Sequence, residues 1–167
     1  MKMIVNAIAT EYLDEGAGET WLLLHGWKDS LRTFDSLVSH LSAGRRIVRL
    51  DLPGFGGSEP PSRRWDVAGY AFFVHDFATK LNLTVDVLVG HSFGGRVALK
   101  GLGEGILSAR RLVLIASAGV AKKKTIKNYI FAALAKVGRA ATCVPPLSFF
   151  RLPIRRRLYA ALQSDYF

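Results

Sequence analysis

Four short, largely apolar runs, at residues 20–24, 46–50, 85–89 and 111–116, are separated by stretches with helical periodicity. That alternation constrains the fold more than any other feature. Continuous apolar runs of this length suit strands buried on both faces, and helices between such strands imply a parallel sheet covered on both sides. Phe34, Leu37, Val38 and Leu41 mark one helical stripe. Val67, Tyr70, Ala71, Val74, Phe77, Ala78 and Leu81 mark another, with Asp66 placed to cap it. Residues 96–100 continue as a third helix, and residues 3–12 read as an opening strand. The expected class is α/β, with a doubly wound and mostly parallel sheet. Ligands of such sheets bind beyond the carboxyl ends of the strands. His25, Asp51, Ser92 and Ser117 all fall there.

Within that pattern, Gly90-His91-Ser92-Phe93-Gly94-Gly95 joins a strand directly to a helix. G-x-S-x-G in this setting is a nucleophile elbow, a turn sharp enough to push the serine hydroxyl clear of the backbone. Gly90 and Gly94 flank Ser92 by two residues on each side, where a Cβ would crowd the turn. Ser92 therefore reads as a nucleophile. The competing reading is an ordinary helix-start serine.

At 167 residues and 50% apolar content the chain is long enough for one sizeable core. Cys143 is the one cysteine, so no internal disulfide forms, and with four histidines no metal-ligand spacing appears. No signal-peptide core or spanning run of about 18 apolar residues is present, and the expected compartment is the cytoplasm. Gly54, Gly56 and Gly57 lack the lysine and spacing of a nucleotide-binding loop. No cofactor is expected.

Taken in order, Leu24-His25-Gly26-Trp27, then residues 51–58 (Asp-Leu-Pro-Gly-Phe-Gly-Gly-Ser), the Ser92 elbow and the strand ending at Ala116 resemble the α/β-hydrolase superfamily. The resemblance covers residues 1–119 as a hydrolase core and 120–167 as part of a helical cap, with the sheet incomplete on its C-terminal side. It implies that the backbone N–H groups of Trp27 and Phe93 form an oxyanion hole. It also implies that His25, Gly26, Gly90, His91 and Gly94 shape the elbow and its facing loop, and that Asp51 shapes the loop it begins. A serine at position 92 argues against the branches that use aspartate there. The family order is Ser, then an acid, then His, yet no histidine follows Ser92 in these 167 residues. His91 adjoins the serine but projects elsewhere. His40 ends a helix, His75 is solvated, Asp76 and Asp86 are surface charges, and Asp165 has no histidine to orient.

Ten of the 23 basic residues but one of the 13 acidic residues lie in 117–167. Residues 122–139 and 151–162 read as basic helices around a break at Pro145-Pro146. In order of preference, this basic face is a cap surface, a peripheral contact with anionic membrane through 122–157, or a nucleic-acid contact, which lacks the interleaved aromatics required. The expected function is a serine hydrolase of esterase, lipase or acyl-hydrolase type on a small acyl substrate, slow without an acid and a histidine. The alternatives are a non-catalytic assembly module or one half of a two-chain hydrolase, whose open sheet edge a partner chain or second copy covers.

Overall fold

The computed structural model describes residues 1–41 and 44–117. Six strands form one sheet: β1 (Lys2–Val5), β2 (Ile8–Gly16), β3 (Glu19–Leu24), β4 (Arg45–Leu50), β5 (Val87–His91) and β6 (Arg111–Ile115). The order across it is β1-β2-β4-β3-β5-β6. β1 and β2 pair antiparallel, as do β2 and β4, whereas β4, β3, β5 and β6 run parallel. The carboxyl ends of four neighbouring strands thus point the same way, and the loops leaving them meet on one rim.

The helices are α1 (Asp35–His40), led in by a 3₁₀ turn (Leu31–Phe34), α2 (Val67–Lys80) and α3 (Phe93–Gly103). Side chains alternate across a strand, so neighbouring residues serve opposite layers. Leu22 and Leu24 of β3, Val48 and Leu50 of β4 and Leu88 of β5 pack with Tyr70, Phe73, Val74 and Phe77 of α2 and with Val97 and Ala98 of α3. Leu23, Ile47, Val87 and Val89 face the other way, onto Phe34 and Leu37. Each large side chain so buried contributes roughly 1.5–3 kcal/mol. Asp66 caps α2, its carboxylate accepting from the Gly69 N–H at 2.9 Å. Arg49, 3% exposed on the α1 side of the sheet, is held by the carboxylates of Glu15 and Asp35.

Three details differ from the sequence reading. Residues 3–12 are not one strand: Asn6 and Ala7 take φ of 48° and 61° and fold the segment into the β1–β2 hairpin. Such turns favour Asn-Gly, and alanine in the second place hides the signal. β5 begins at Val87, and Asp86 just before it is bound to both neighbouring strands: its N–H donates to the Thr20 carbonyl and its carbonyl accepts from the Arg111 N–H (both 2.9 Å), while its carboxylate accepts from the Thr20 N–H at 3.0 Å and pairs with Arg110 at 3.3 Å. Asp86 is therefore a structural anchor between strands, not a free surface charge. Its carboxyl is held below the usual carboxylate range, first by the Thr20 hydrogen bond and then by Arg110.

The chain divides into two units, Met1–Val120 and Ala121–Phe167. The basic helices expected at 122–139 and 151–162, and with them the cap-like segment, lie outside the described residues. No helix among the described residues is long and apolar enough to cross a membrane. β6 lies at the edge of the described sheet, with Val113 and Ile115 39% and 37% exposed.

Candidate active site

Ser92 follows β5 immediately and caps α3, with φ 49° and ψ −105°. A non-glycine residue held there stores roughly 1–3 kcal/mol, so the surrounding contacts must impose it. They do. The Ser92 N–H donates to the Ile115 carbonyl at the end of β6 (2.9 Å), and the Gly94 N–H donates to the His25 carbonyl just past β3 (3.0 Å). Backbone meets backbone at both flanking glycines: a Cβ on Gly90 would lie 2.5 Å from Gly95 Cα, and one on Gly94 2.1 Å from the Leu24 carbonyl oxygen. The turn exists only because both positions carry no side chain.

The loop after β3 runs alongside the serine. A Cβ on Gly26 would meet the Ser92 Cβ at 3.4 Å and His91 Nδ1 at 3.1 Å. His25 fixes this loop from below. Fully buried, its Nδ1–H donates to the Gly26 carbonyl (2.7 Å) while Nε2 accepts from the Leu52 N–H (2.9 Å). The Leu52 donor dictates the tautomer. Burial pushes the imidazole below its ordinary pKa, against smaller upward effects from the Gly26 hydrogen bond and from Asp51 and Asp29.

Asp51, 3% exposed, knits the next loop to the same rim. Its Oδ1 accepts from the Leu31 N–H (2.6 Å), its Oδ2 from the Gly57 N–H (2.7 Å), and its carbonyl from the Ser58 hydroxyl (2.7 Å). Gly56 has φ 53°, and a Cβ there would fall 2.0 Å from Asp51 Oδ2. Both carboxylate oxygens are engaged in loop closure, and neither accepts a hydrogen bond from an imidazole.

None of the four histidines hydrogen-bonds Ser92. Both nitrogens of His25 are spent on the backbone, His40 Nδ1 faces the Ser36 carbonyl, and His75 pairs with Asp76. His91 turns Nδ1 toward Asp29, 3.9 Å away and beyond hydrogen-bond reach, leaving that buried nitrogen unpartnered. Ser117 sits over the elbow, where a Cβ on Gly95 would meet its Oγ at 2.2 Å. Among the described residues no group of three or more His, Cys, Asp or Glu is arranged to hold a metal ion.

Phe93 opens α3, so its N–H has no carbonyl partner within its own helix. Its ring stands edge-on to Trp27 at 5.1 Å and to Tyr70 at 5.1 Å, and Phe55 joins the group 4.9 Å from Trp27. Trp65 extends it by packing on Tyr70 at 5.5 Å. Sequence reasoning picked out Trp27 and Phe93 but missed this wall. Phe55 sits in a loop and Tyr70 in a helical stripe, and only the topology brings them to the serine.

A parallel sheet whose fifth strand delivers a strained serine into a glycine-packed turn, facing a backbone loop from the third, defines the hydrolase fold class. The chain belongs to the alpha/beta hydrolase family, which it matches over residues 21–167. It is 30% identical over 145 residues to the 2-hydroxy-6-oxo-6-(2'-aminophenyl)hexa-2,4-dienoic acid hydrolase of Metapseudomonas resinovorans, covering 78% of this chain and 49% of that protein. An uncharacterized protein of Mycobacterium tuberculosis is 32% identical over 111 residues, covering 66% of this chain and 33% of that one. Among solved structures, a bacterial membrane phospholipase A superposes with a TM-score of 0.69 at 29% identity, covering 75% of this chain and 41% of that chain. The chain spans a third to a half of the length of these relatives.

Proposed function

We propose that this chain carries the nucleophile half of a serine hydrolase acting on acyl esters or related carbonyls. Ser92 Oγ attacks the acyl carbon, and the oxygen of the resulting tetrahedral adduct accepts from the backbone N–H groups of Trp27 and Phe93. Collapse of the adduct expels the alcohol with a proton, and water then releases the acyl group, restoring the serine. The amino end of α3 adds a favourable dipole at the position where negative charge develops. One observation carries the reading: a non-glycine residue at φ 49° is pinned to β6, its side chain lying against Gly26 of the facing loop. Gly90 and Gly94 permit the turn, while His25, Gly26 and His91 form its floor.

A serine hydroxyl needs a base to become a good nucleophile. These 167 residues place no imidazole in bonding reach of Ser92, so the activity proposed for them on their own is slow. Enzymes of this type stripped of a triad member keep roughly 10³–10⁴-fold catalysis over water. Hydrolysis of p-nitrophenyl butyrate by the purified chain tests this. A small rate abolished in Ser92→Ala supports the reading; ordinary enzyme rates, or a rate indifferent to that substitution, refute it.

A second reading, an assembly half completed by another polypeptide or a second copy, is favoured by Val113 and Ile115 standing exposed on the edge strand of the described sheet. Size-exclusion chromatography separates the two. A monomer that stays soluble at high concentration argues against the assembly half.

A further inference from the structure

Two arginines beside the rim have charge to spare. Arg32, Arg46, Arg49, Arg110 and Arg111 each pair with a carboxylate, whereas Arg63 and Arg64, like Arg96 on α3, have no acidic partner within 4.0 Å among the described residues; Arg63 and Arg64 are the two that stand side by side. Both are exposed, and both line an open surface depression of about 530 Å³ shared with Trp27, Pro61, Trp65 and Tyr70. That lining contains no carboxylate. Both arginines also line the adjoining depression, which includes Asp66; that carboxylate accepts from the Gly69 N–H and is not within 4.0 Å of either guanidinium. The segment bearing the arginines is tied down at both ends, by the Glu59 N–H on the Ala9 carbonyl (2.9 Å) and by the Asp66 cap of α2.

The depression is connected to the nucleophile through rings. Trp27 and Tyr70, which line it, each touch Phe93, the residue after Ser92. A ligand could therefore lay an apolar chain along this wall, with one end near Ser92 and the other at the two guanidinium groups. Guanidinium forks match carboxylate and phosphate oxygens in shape as well as charge. We propose that Arg63 and Arg64 form an anion subsite for a soluble acyl compound ending in a carboxylate or phosphate monoester. The subsite selects which substrates present their carbonyl to Ser92. Its placement in catalysis rests on the hydrolase reading; its binding chemistry does not.

The test is equilibrium binding to the full chain, read from tryptophan fluorescence, since Trp27 and Trp65 line the depression. Hexyl phosphate is expected to bind saturably and at least about 10-fold more tightly than 1-hexanol, as charge-assisted hydrogen bonds allow. The Arg63→Gln/Arg64→Gln double variant should lose that preference, and the lysine pair should restore part of it. The urea midpoint of each variant verifies that it is folded. Equal affinity for hexyl phosphate and hexanol, or an unchanged preference in the glutamine pair, overturns the proposal. Binding to phosphatidylglycerol vesicles without any to hexyl phosphate also overturns it, in favour of a membrane contact. Ser92→Ala should bind hexyl phosphate like the parent, so failure of serine chemistry at Ser92 and failure of this subsite are separate results.

Discussion

An alanine at Gly94 would set its Cβ 2.1 Å from the Leu24 carbonyl oxygen and 2.7 Å from that of His25. Close carbon–oxygen contacts in proteins lie near 3.3 Å, so the elbow must retreat from β3 by about 1 Å. Neither obstacle is a flexible side-chain end; both are backbone. The retreat also breaks the Gly94 N–H bond to the His25 carbonyl. Overpacking of this kind costs about 1–3 kcal/mol and the hydrogen bond about 0.5–1.5, giving a loss of about 1.5–4.5 kcal/mol by urea denaturation. A displacement of about 1 Å between reacting groups slows chemistry by about 10²-fold, and the rate of Ser92 modification by a fluorophosphonate should fall accordingly. Gly103, in the same helix with open space around it, is the control: Gly103→Ala should stabilise by roughly 0.5–1 kcal/mol and leave labelling alone. If Gly94→Ala matches the parent in both stability and labelling, the tight approach of elbow and β3 is not what positions the serine.

The same geometry sets the other expectations. Ser92→Gly relieves a side chain at φ 49° and should raise stability by about 1 kcal/mol in urea while abolishing labelling. Asp51→Ala leaves the Leu31 and Gly57 N–H groups without their acceptor, and should cost about 2–4 kcal/mol by the same assay. The His25 imidazole titrates below its ordinary value in the folded chain, so as pH falls below about 6.5 the unfolded chain takes up a proton that the folded chain refuses. Stability should therefore be full above that pH and decline below it, and the decline should be smaller in His25→Gln when thermal midpoints are followed across pH 5–8.

Much of this site is legible before any coordinates. The apolar runs at β3, β4 and β5 and the stripe of α2 predict a parallel sheet because burial on both faces removes polar alternation. The glycine spacing around Ser92 predicts the elbow, since only a backbone-to-backbone contact explains glycine at both positions. What stays hidden depends on register and on joining distant elements. Asp86 reads as a surface charge until the pairing of Trp21 with Val87 brings the Thr20 N–H to its carboxylate. The aromatic wall draws on three separate loops and helices, and no periodicity links Trp27, Phe55 and Tyr70. Asn6-Ala7 hides its hairpin because alanine seldom accepts a left-handed backbone.

The measurement closest to the central claim is prolonged exposure of the 167-residue chain to a fluorophosphonate, followed by peptide mapping, with and without added imidazole. The expected result is a single adduct on Ser92, slow to form, lost in Ser92→Ala and accelerated by imidazole standing in for the base. An adduct spread over Ser30, Ser58 and Ser62, or a Ser92 that stays unmodified even with imidazole, would contradict the claim that this turn presents a nucleophile.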